Sequence, residues 1–348
     1  MKRLIFLFII ILLAISYILS QETPNLIPYR KGNKWGFCDR NKNIIIPIVY
    51  DDASPFSEGL ASVRKNNKYG FINSKGDTII PFKYDYAYSF QDGLAKVLIN
   101  SKFGFINKIG EEVVPAIYSK ALNFSEGLAL VEYDSSLGYV SSKGYSDKLE
   151  IAKEGKFNYK EELNPQLNKL VKNYDKIGNF FENYAWVIKK NKYGFIDKNG
   201  NETIPPTYDK AYFFSDGLAS VKKGKKWGYI DKSNNIKIDF NYDFALPFSE
   251  GLASVKKKKY WGYIDETGKL VIPYRYEMAW RFSEGLAAVQ ISGRWGFINK
   301  NGDIVIEPKY QKVMPFNNGL AAVTIENEGK VMRKWFYIDK KGNEYFEE

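Results

Sequence analysis

A pair made of an aromatic or large apolar residue and a glycine returns along this chain at Trp35-Gly36, Tyr69-Gly70, Phe103-Gly104, Leu137-Gly138, Tyr193-Gly194, Trp227-Gly228, Trp261-Gly262 and Trp295-Gly296. The position numbers advance by 34 at every step but one, between Leu137 and Tyr193, where they advance by 56. A second marker, the phenylalanine that opens the block FSEGLA or a close copy, falls at 56, 90, 124, 180, 214, 248, 282 and 316, with its one longer step in the same place. Two markers that agree on a period and on a single insertion confine the chain to a tandem array. Each unit of such an array is too small to bury its apolar face alone and does so against its neighbours. Length would otherwise suggest two domains.

Units begin at 26, 60, 94, 128, 184, 218, 252, 286 and 320. The first, LIPYRKGNK from Leu26 to Lys34, aligns with LASVRKNNK from Leu60 to Lys68. The last is cut short and carries Trp335-Phe336 after six added residues, the atypical sequence of a terminal unit. Within Leu60 to Gly93, Leu60 to Arg64, Lys68 to Asn73 and Thr78 to Phe82 are rich in β-branched and aromatic residues and read as three strands. Asn66-Asn67 and the NSKG at 73 to 76 supply the turns, the second with a glycine at positive φ. Tyr69 and Phe71 share one strand face and Ile72 lies on the other, so both faces need cover. The aromatic stripe is accordingly core before it is a ligand platform. Gly70 removes a side chain where another backbone or ring lies close.

The segments KWGFCDRNKNIIIP, KKWGYIDKSNNIKI and RWGFINKNGDIVIEPKY, each with FSEGLA or its relative nearby, resemble the WG repeats, also called KWG repeats, of many bacterial proteins. The resemblance covers residues 26 to 348. It implies a β-rich repeat array, often exported, and brings no catalytic residues with it. The expected fold is all-β, with tandem three-stranded units forming an open β-solenoid or superhelix. A closed β-propeller-like ring is the alternative, disfavoured because the period is shorter than the roughly 40–45 residues of a four-stranded propeller blade of the WD type. The period fails at residues 144 to 173, where Asn164, Pro165, Leu167, Leu170 and Val171 predict a short helix.

Residues 1 to 20 read as a signal peptide, with Lys2 and Arg3 followed by the apolar run Leu4 to Leu19 and the polar Ser20, Gln21 and Glu22. That run has 16 residues, whereas a membrane span takes about 20. No cysteine follows it to carry a lipid anchor. Cleavage near Ser20 leaves residues 21 to 348 exported to periplasm, cell surface or beyond. It removes two of 51 basic residues against 40 acidic ones, so the charge falls from +11 to +9. The one cysteine, Cys38, forms no internal disulfide and reads as a small apolar strand residue. Histidine is absent, which excludes histidine metal sites and imidazole-assisted nucleophiles.

The corner acids Glu58, Asp92, Glu126, Asp216, Glu250 and Glu284, with Asn183 and Asn318 at the matching places, read as turn formers rather than a calcium ladder, which needs several oxygens on each ion. Asp197 in DKNG and Asp265 in DETG likewise read as hairpin turns. No cofactor is expected. The candidate binding surface is a basic ridge at the tips between the first and second strands: Arg64, Lys65 and Lys68; Lys189, Lys190 and Lys192; Lys222, Lys223, Lys225 and Lys226; and Lys256, Lys257, Lys258 and Lys259. Stacked in register these would attract polyanions, although lysines also keep strand edges soluble and unpaired. The expected function is that of a non-enzymatic scaffold for an unknown protein partner or envelope polysaccharide. Nucleic acid is not expected, and membrane contact would come only through a retained N-terminal segment. A carboxylate-dependent envelope hydrolase and a purely structural spacer are the alternatives.

Overall fold

The computed structural model describes residues 26–142, 173–325 and 334–348. All regular structure among them is β-strand. The helix expected near Asn164 to Val171 and the signal peptide both lie outside the described residues.

The three expected strands are present in the unit at 60, as Ala61–Lys65, Lys68–Ile72 and Thr78–Tyr84. A fourth precedes them: Asp52–Ala53 pairs with the first long strand through Asp52↔Arg64 and Ala53↔Val63. It recurs as Tyr86–Ala87, Lys120–Ala121, Lys176–Ile177, Phe244–Ala245, Met278–Ala279 and Lys312–Val313, and is lengthened at Lys210–Ser215. Two residues carry no periodicity, so this strand has no sequence signature of its own beyond a small or branched apolar residue that is buried. The repeating element is thus a four-stranded antiparallel sheet with sequential strand order, not a three-stranded one.

The turns explain why these strands form. Asn66 and Asn67 both take positive φ, 51° and 64°, as a two-residue hairpin requires. Gly76 closes the next hairpin at φ 88°. The glycine after each aromatic meets the backbone of the third strand: a methyl at Gly70 would sit 2.6 Å from the Ile80 carbonyl oxygen, and one at Gly228 2.6 Å from that of Ile238. The second-to-third strand register shifts at this point in seven units, as between Tyr69↔Tyr84 and Phe71↔Ile80, and the glycine makes room for the bulge. The core lies between sheets. Tyr69, Phe71, Ile80 and Tyr84 of one unit pack with Phe90, Ala95, Val97 and Ile106 from the corner and strands that follow.

An open array has two free terminal edges, and here those edges are paired. The strand Ile27–Lys31 lies parallel to Glu344–Glu347 through Arg30↔Phe346 and Lys31↔Glu347, which joins the first and last sheets into one of seven strands. Gly32 N–H donates to the Glu347 carbonyl at 3.0 Å. The Arg30 guanidinium, buried and pulled below its usual range by that burial, donates to the Trp335 carbonyl at 3.2 Å. Trp35 meets Tyr337 edge to face at 5.8 Å. Cys38 is buried in this seam beside Ile27, Tyr29, Leu320 and Tyr345, and burial pushes its thiol up to about 12, as befits an apolar strand residue.

Candidate functional site

The FSEGLA corners tie consecutive units together, each residue with its own contact. The phenylalanine ring packs on the aromatic that follows the glycine of its own unit: Phe56 on Phe37 at 4.9 Å, Phe90 on Phe71 at 4.8 Å, Phe248 on Tyr229 at 4.8 Å and Phe316 on Phe297 at 4.8 Å. The serine hydroxyl donates to the carbonyl of the next corner phenylalanine, as from Ser57 to Phe90 at 2.7 Å and from Ser249 to Phe282 at 2.8 Å. The acid, held at positive φ, accepts the N–H at the glycine place of the next corner: Glu58 from Gly93 at 3.1 Å, Asp216 from Gly251 at 2.8 Å, Glu250 from Gly285 at 3.1 Å and Glu284 from Gly319 at 2.9 Å.

The corner at 180 corrects the sequence alignment. Its acid is Glu182, which accepts from Gly217 at 3.1 Å, while Asn183 occupies the glycine place at φ 68° and donates its N–H to Glu126 at 3.0 Å. The frame is hidden in the letters because asparagine resembles an acid in shape and glycine in its tolerance of positive φ.

A lysine completes the clamp wherever the acid is a glutamate. Lys108 lies 3.0 Å from Glu58, Lys198 2.8 Å from Glu126, Lys232 3.0 Å from Glu182, Lys300 3.1 Å from Glu250 and Lys340 3.2 Å from Glu284. The two corners with aspartate have Ser142 and Glu266 at the corresponding positions. The longer acid thus occurs where a cation waits in a hairpin two units further on. Burial alone would raise the Glu58 and Glu126 carboxyls, but hydrogen bonds from their lysines and from backbone N–H groups outweigh it, and both lie below the usual glutamate range.

The predicted basic residues sit at the hairpin tips as expected from the sequence, but an aspartate is set between successive tips. Asp209 accepts an ion pair from Lys192 and, through its other oxygen, the Gly224 N–H at 2.6 Å. Asp243 does the same with Lys226 at 2.6 Å and the Lys258 N–H at 2.6 Å. Asp85 bridges Lys68 and Asn100, and Asp175 accepts the Lys190 N–H. Lysine hydrogen bonds hold Asp85, Asp209 and Asp243 below the ordinary carboxylate range. Arg64 lies over the Tyr69 ring, Lys189 over Tyr174 and Lys259 over Tyr260. Lys65, Lys223, Lys225 and Lys257 are exposed, and Lys222 and Lys256 half-buried. At the two adjacent tips 222–226 and 256–259, only Lys226 has an ion pair among the described residues. The hairpin acids behave as turn formers: Asp197 accepts the N–H groups of Asn199 at 2.9 Å and Asn201 at 2.8 Å, and Asp265 those of Thr267 and Lys269, both at 3.0 Å.

Nothing in the sequence points to a cavity of about 870 Å³ that lies between corners from both ends of the array. Ser54, Pro55, Ser57, Glu58, Tyr86 to Asp92 and Asn123 line one side; Ser283, Glu284, Met314 to Asn318 and Tyr337 line the other. Its lining includes the carboxylates of Glu58, Asp92 and Glu284 and no lysine or arginine, in a protein whose net charge is +11. Tyr86 and Tyr88 are 42% and 36% exposed there, their rings 4.8 Å apart, with the Lys96 ammonium 4.1 Å from the Tyr88 ring. Among the described residues no group of three or more metal-ligating side chains converges.

The family model of the WG-containing repeat matches residues 35–69, 69–103, 103–135, 164–193, 193–227, 227–261, 261–295 and 295–328. No curated protein matches the chain. Among solved structures, a eukaryotic initiation factor is similar over 92% of this chain and 95% of its own at 10% identity, TM-score 0.60. An extracellular domain of a hybrid two component system from B. thetaiotaomicron is similar over 74% of this chain and 41% of its own at 12% identity, TM-score 0.41. Dihydro-heme d1 dehydrogenase NirN matches over 81% and 72% at 10% identity, TM-score 0.39. The first of these bears on the fold alone.

Proposed function

The chain belongs to the WG-containing repeat family, and we propose that it is an exported, non-enzymatic binding scaffold whose units are arranged as a propeller-like ring. The observation that carries this reading is the 870 Å³ cavity, lined by corner hydroxyls, amides and tyrosine rings from units at both ends of the array. Its size lies within the roughly 300–1,000 Å³ of small-molecule and oligomer sites. The use of the acids supports binding over catalysis. Glu58 and Glu284 are engaged by Lys108 and Lys340 and by backbone N–H groups, so they stabilise neighbouring units rather than stand free as an acid–base pair. Export rests on the basic start, apolar run and polar exit of residues 1 to 20.

The mature protein, immobilised and exposed to envelope extract, is expected to retain a glycan or a protein. An extract that leaves nothing bound, combined with glycoside hydrolysis by the protein, would replace the scaffold with the hydrolase. A second reading places a polyanion on the tips 222–226 and 256–259, because seven of their eight lysines have no ion pair among the described residues. Replacement of Lys222, Lys223, Lys225 and Lys226 by serine is expected to abolish retention of an acidic polysaccharide; unchanged retention ends that reading.

A further inference from the structure

The corner Tyr86 to Asp92 departs from the repeat in several ways at once, and its own residues line the cavity. Gln91 replaces the serine that at Ser57, Ser125, Ser249 and Ser283 donates to the next corner. Ser142 stands where five other units place the clamping lysine. The Asp92 carboxylate has no hydrogen-bond or ion-pair partner among the described residues, and no bond from Gly127 N–H reaches it, whereas the matching acid at every other described corner that has one accepts the next such N–H. Asp92 is also exposed at the cavity wall. Beside it two tyrosines leave ring area open to solvent. In place of Tyr88 other corners have Ser54, Leu122, Gly178, Leu246 or Met314, or else Tyr212 and Trp280, whose rings pack on Trp227 and Trp295.

We infer that this corner is a carbohydrate site, and that its ligand is a neutral glycan; the inference rests on the scaffold reading and names its ligand class. A sugar ring has an apolar face and an equatorial rim of hydroxyls. Tyr88, backed by the Lys96 ammonium at 4.1 Å and flanked by Tyr86 at 4.8 Å, offers an aromatic platform for the first. A free carboxylate accepts two vicinal hydroxyls, the charge-assisted arrangement, and Gln91, Ser89 and Asn123 add donors and acceptors around it. An anionic sugar does not suit the site, since its acid would face the uncompensated Asp92 carboxylate in a lining without lysine or arginine. The corner fixed by repeat symmetry is the one that holds units together; the corner released from it is free to hold something else.

The test is titration calorimetry of the full mature chain with cellohexaose, chitohexaose and a hexamer of polygalacturonate. Binding of at least one neutral hexamer, none of the acidic one, and a loss of affinity of tenfold or more in both Tyr88→Ala and Asp92→Asn are expected, with melting temperatures within a few degrees of wild type. Glu250→Gln, at a clamped corner, is expected to bind as wild type does. Absence of binding to both neutral hexamers, preference for the acidic one, or unchanged affinity in the two variants overturns the inference. The scaffold reading is judged apart from it by the envelope extract: a component retained by wild type and equally by Tyr88→Ala and Asp92→Asn sustains the scaffold and overturns the glycan site.

Discussion

The corners at Glu250 and Asp92 have the same backbone turn, with φ of 57° and 53° at the acid, and the same buried phenylalanine, yet they do different work. At Glu250 the carboxylate reaches forward to Gly285 and Lys300 and spans three consecutive units. At Asp92 the shorter acid has neither contact among the described residues, and the corner opens onto the cavity. The difference separates what folds the array from what is left for a ligand. The turn and the ring are common and structural; the reach of the acid is variable, and it varies together with the residue at the lysine place two units further on.

The largest expected effect tests the shared part. Phe248→Ala and Phe90→Ala each remove a fully buried ring and should each cost about 3–5 kcal/mol, read by chemical denaturation. A much smaller loss at Phe90 would show that the open corner is anchored differently. The next effect tests the difference: Glu250→Gln weakens a charged acceptor and leaves Lys300 without its carboxylate, with an expected loss of about 1–2 kcal/mol, whereas Asp92→Asn should stay within about 0.5 kcal/mol of wild type.

Acid should act on clamped corners first. The folded-state carboxyls of Glu58 and Glu126 lie below the usual value of 4.5, so their contribution is present above that value and is lost as pH falls through the folded one. Melting temperature is expected to drop as pH falls below about 4.5, and the drop should shrink in the double variant Glu58→Gln with Glu126→Gln. The smallest effect converts one corner into the other. Asp92→Glu with Ser142→Lys should add about 0.5 kcal/mol, the worth of an exposed ion pair, and slow amide exchange at Gly127.

Much of this molecule is legible in its sequence because its information is local and repeated. Asn66-Asn67, Gly76 and the corner glycines announce turns, and the apolar runs between them announce strands. Asp52–Ala53 is not legible because two residues carry no pattern, and without it the unit looks too thin for a four-stranded sheet. Pairing of Ile27–Lys31 with Glu344–Glu347 leaves no trace in the letters either, since it joins opposite ends of the chain through backbone groups and no shared motif. The matching of Glu58 with Lys108 and of Asp92 with Ser142 is present in the sequence but becomes visible only once the contact shows which positions to compare. The cavity is hidden for a similar reason: serine, asparagine and tyrosine at turns are ordinary until corners from opposite ends of the array are found to face one another.

The paired seam also bears on how such a protein can change. Tandem coding repeats are prone to gain and lose copies, and a row with two free ends absorbs either event by growing or shrinking. Here the strand Ile27–Lys31 has to meet Glu344–Glu347 after a set number of sheets. One unit more or fewer would require a different rotation between every neighbouring pair, each fixed by a clamp and a buried ring, or would leave two hydrogen-bonding edges exposed to other chains. In the ring proposed above, the seam acts as a counter, making the number of units a property of the fold itself.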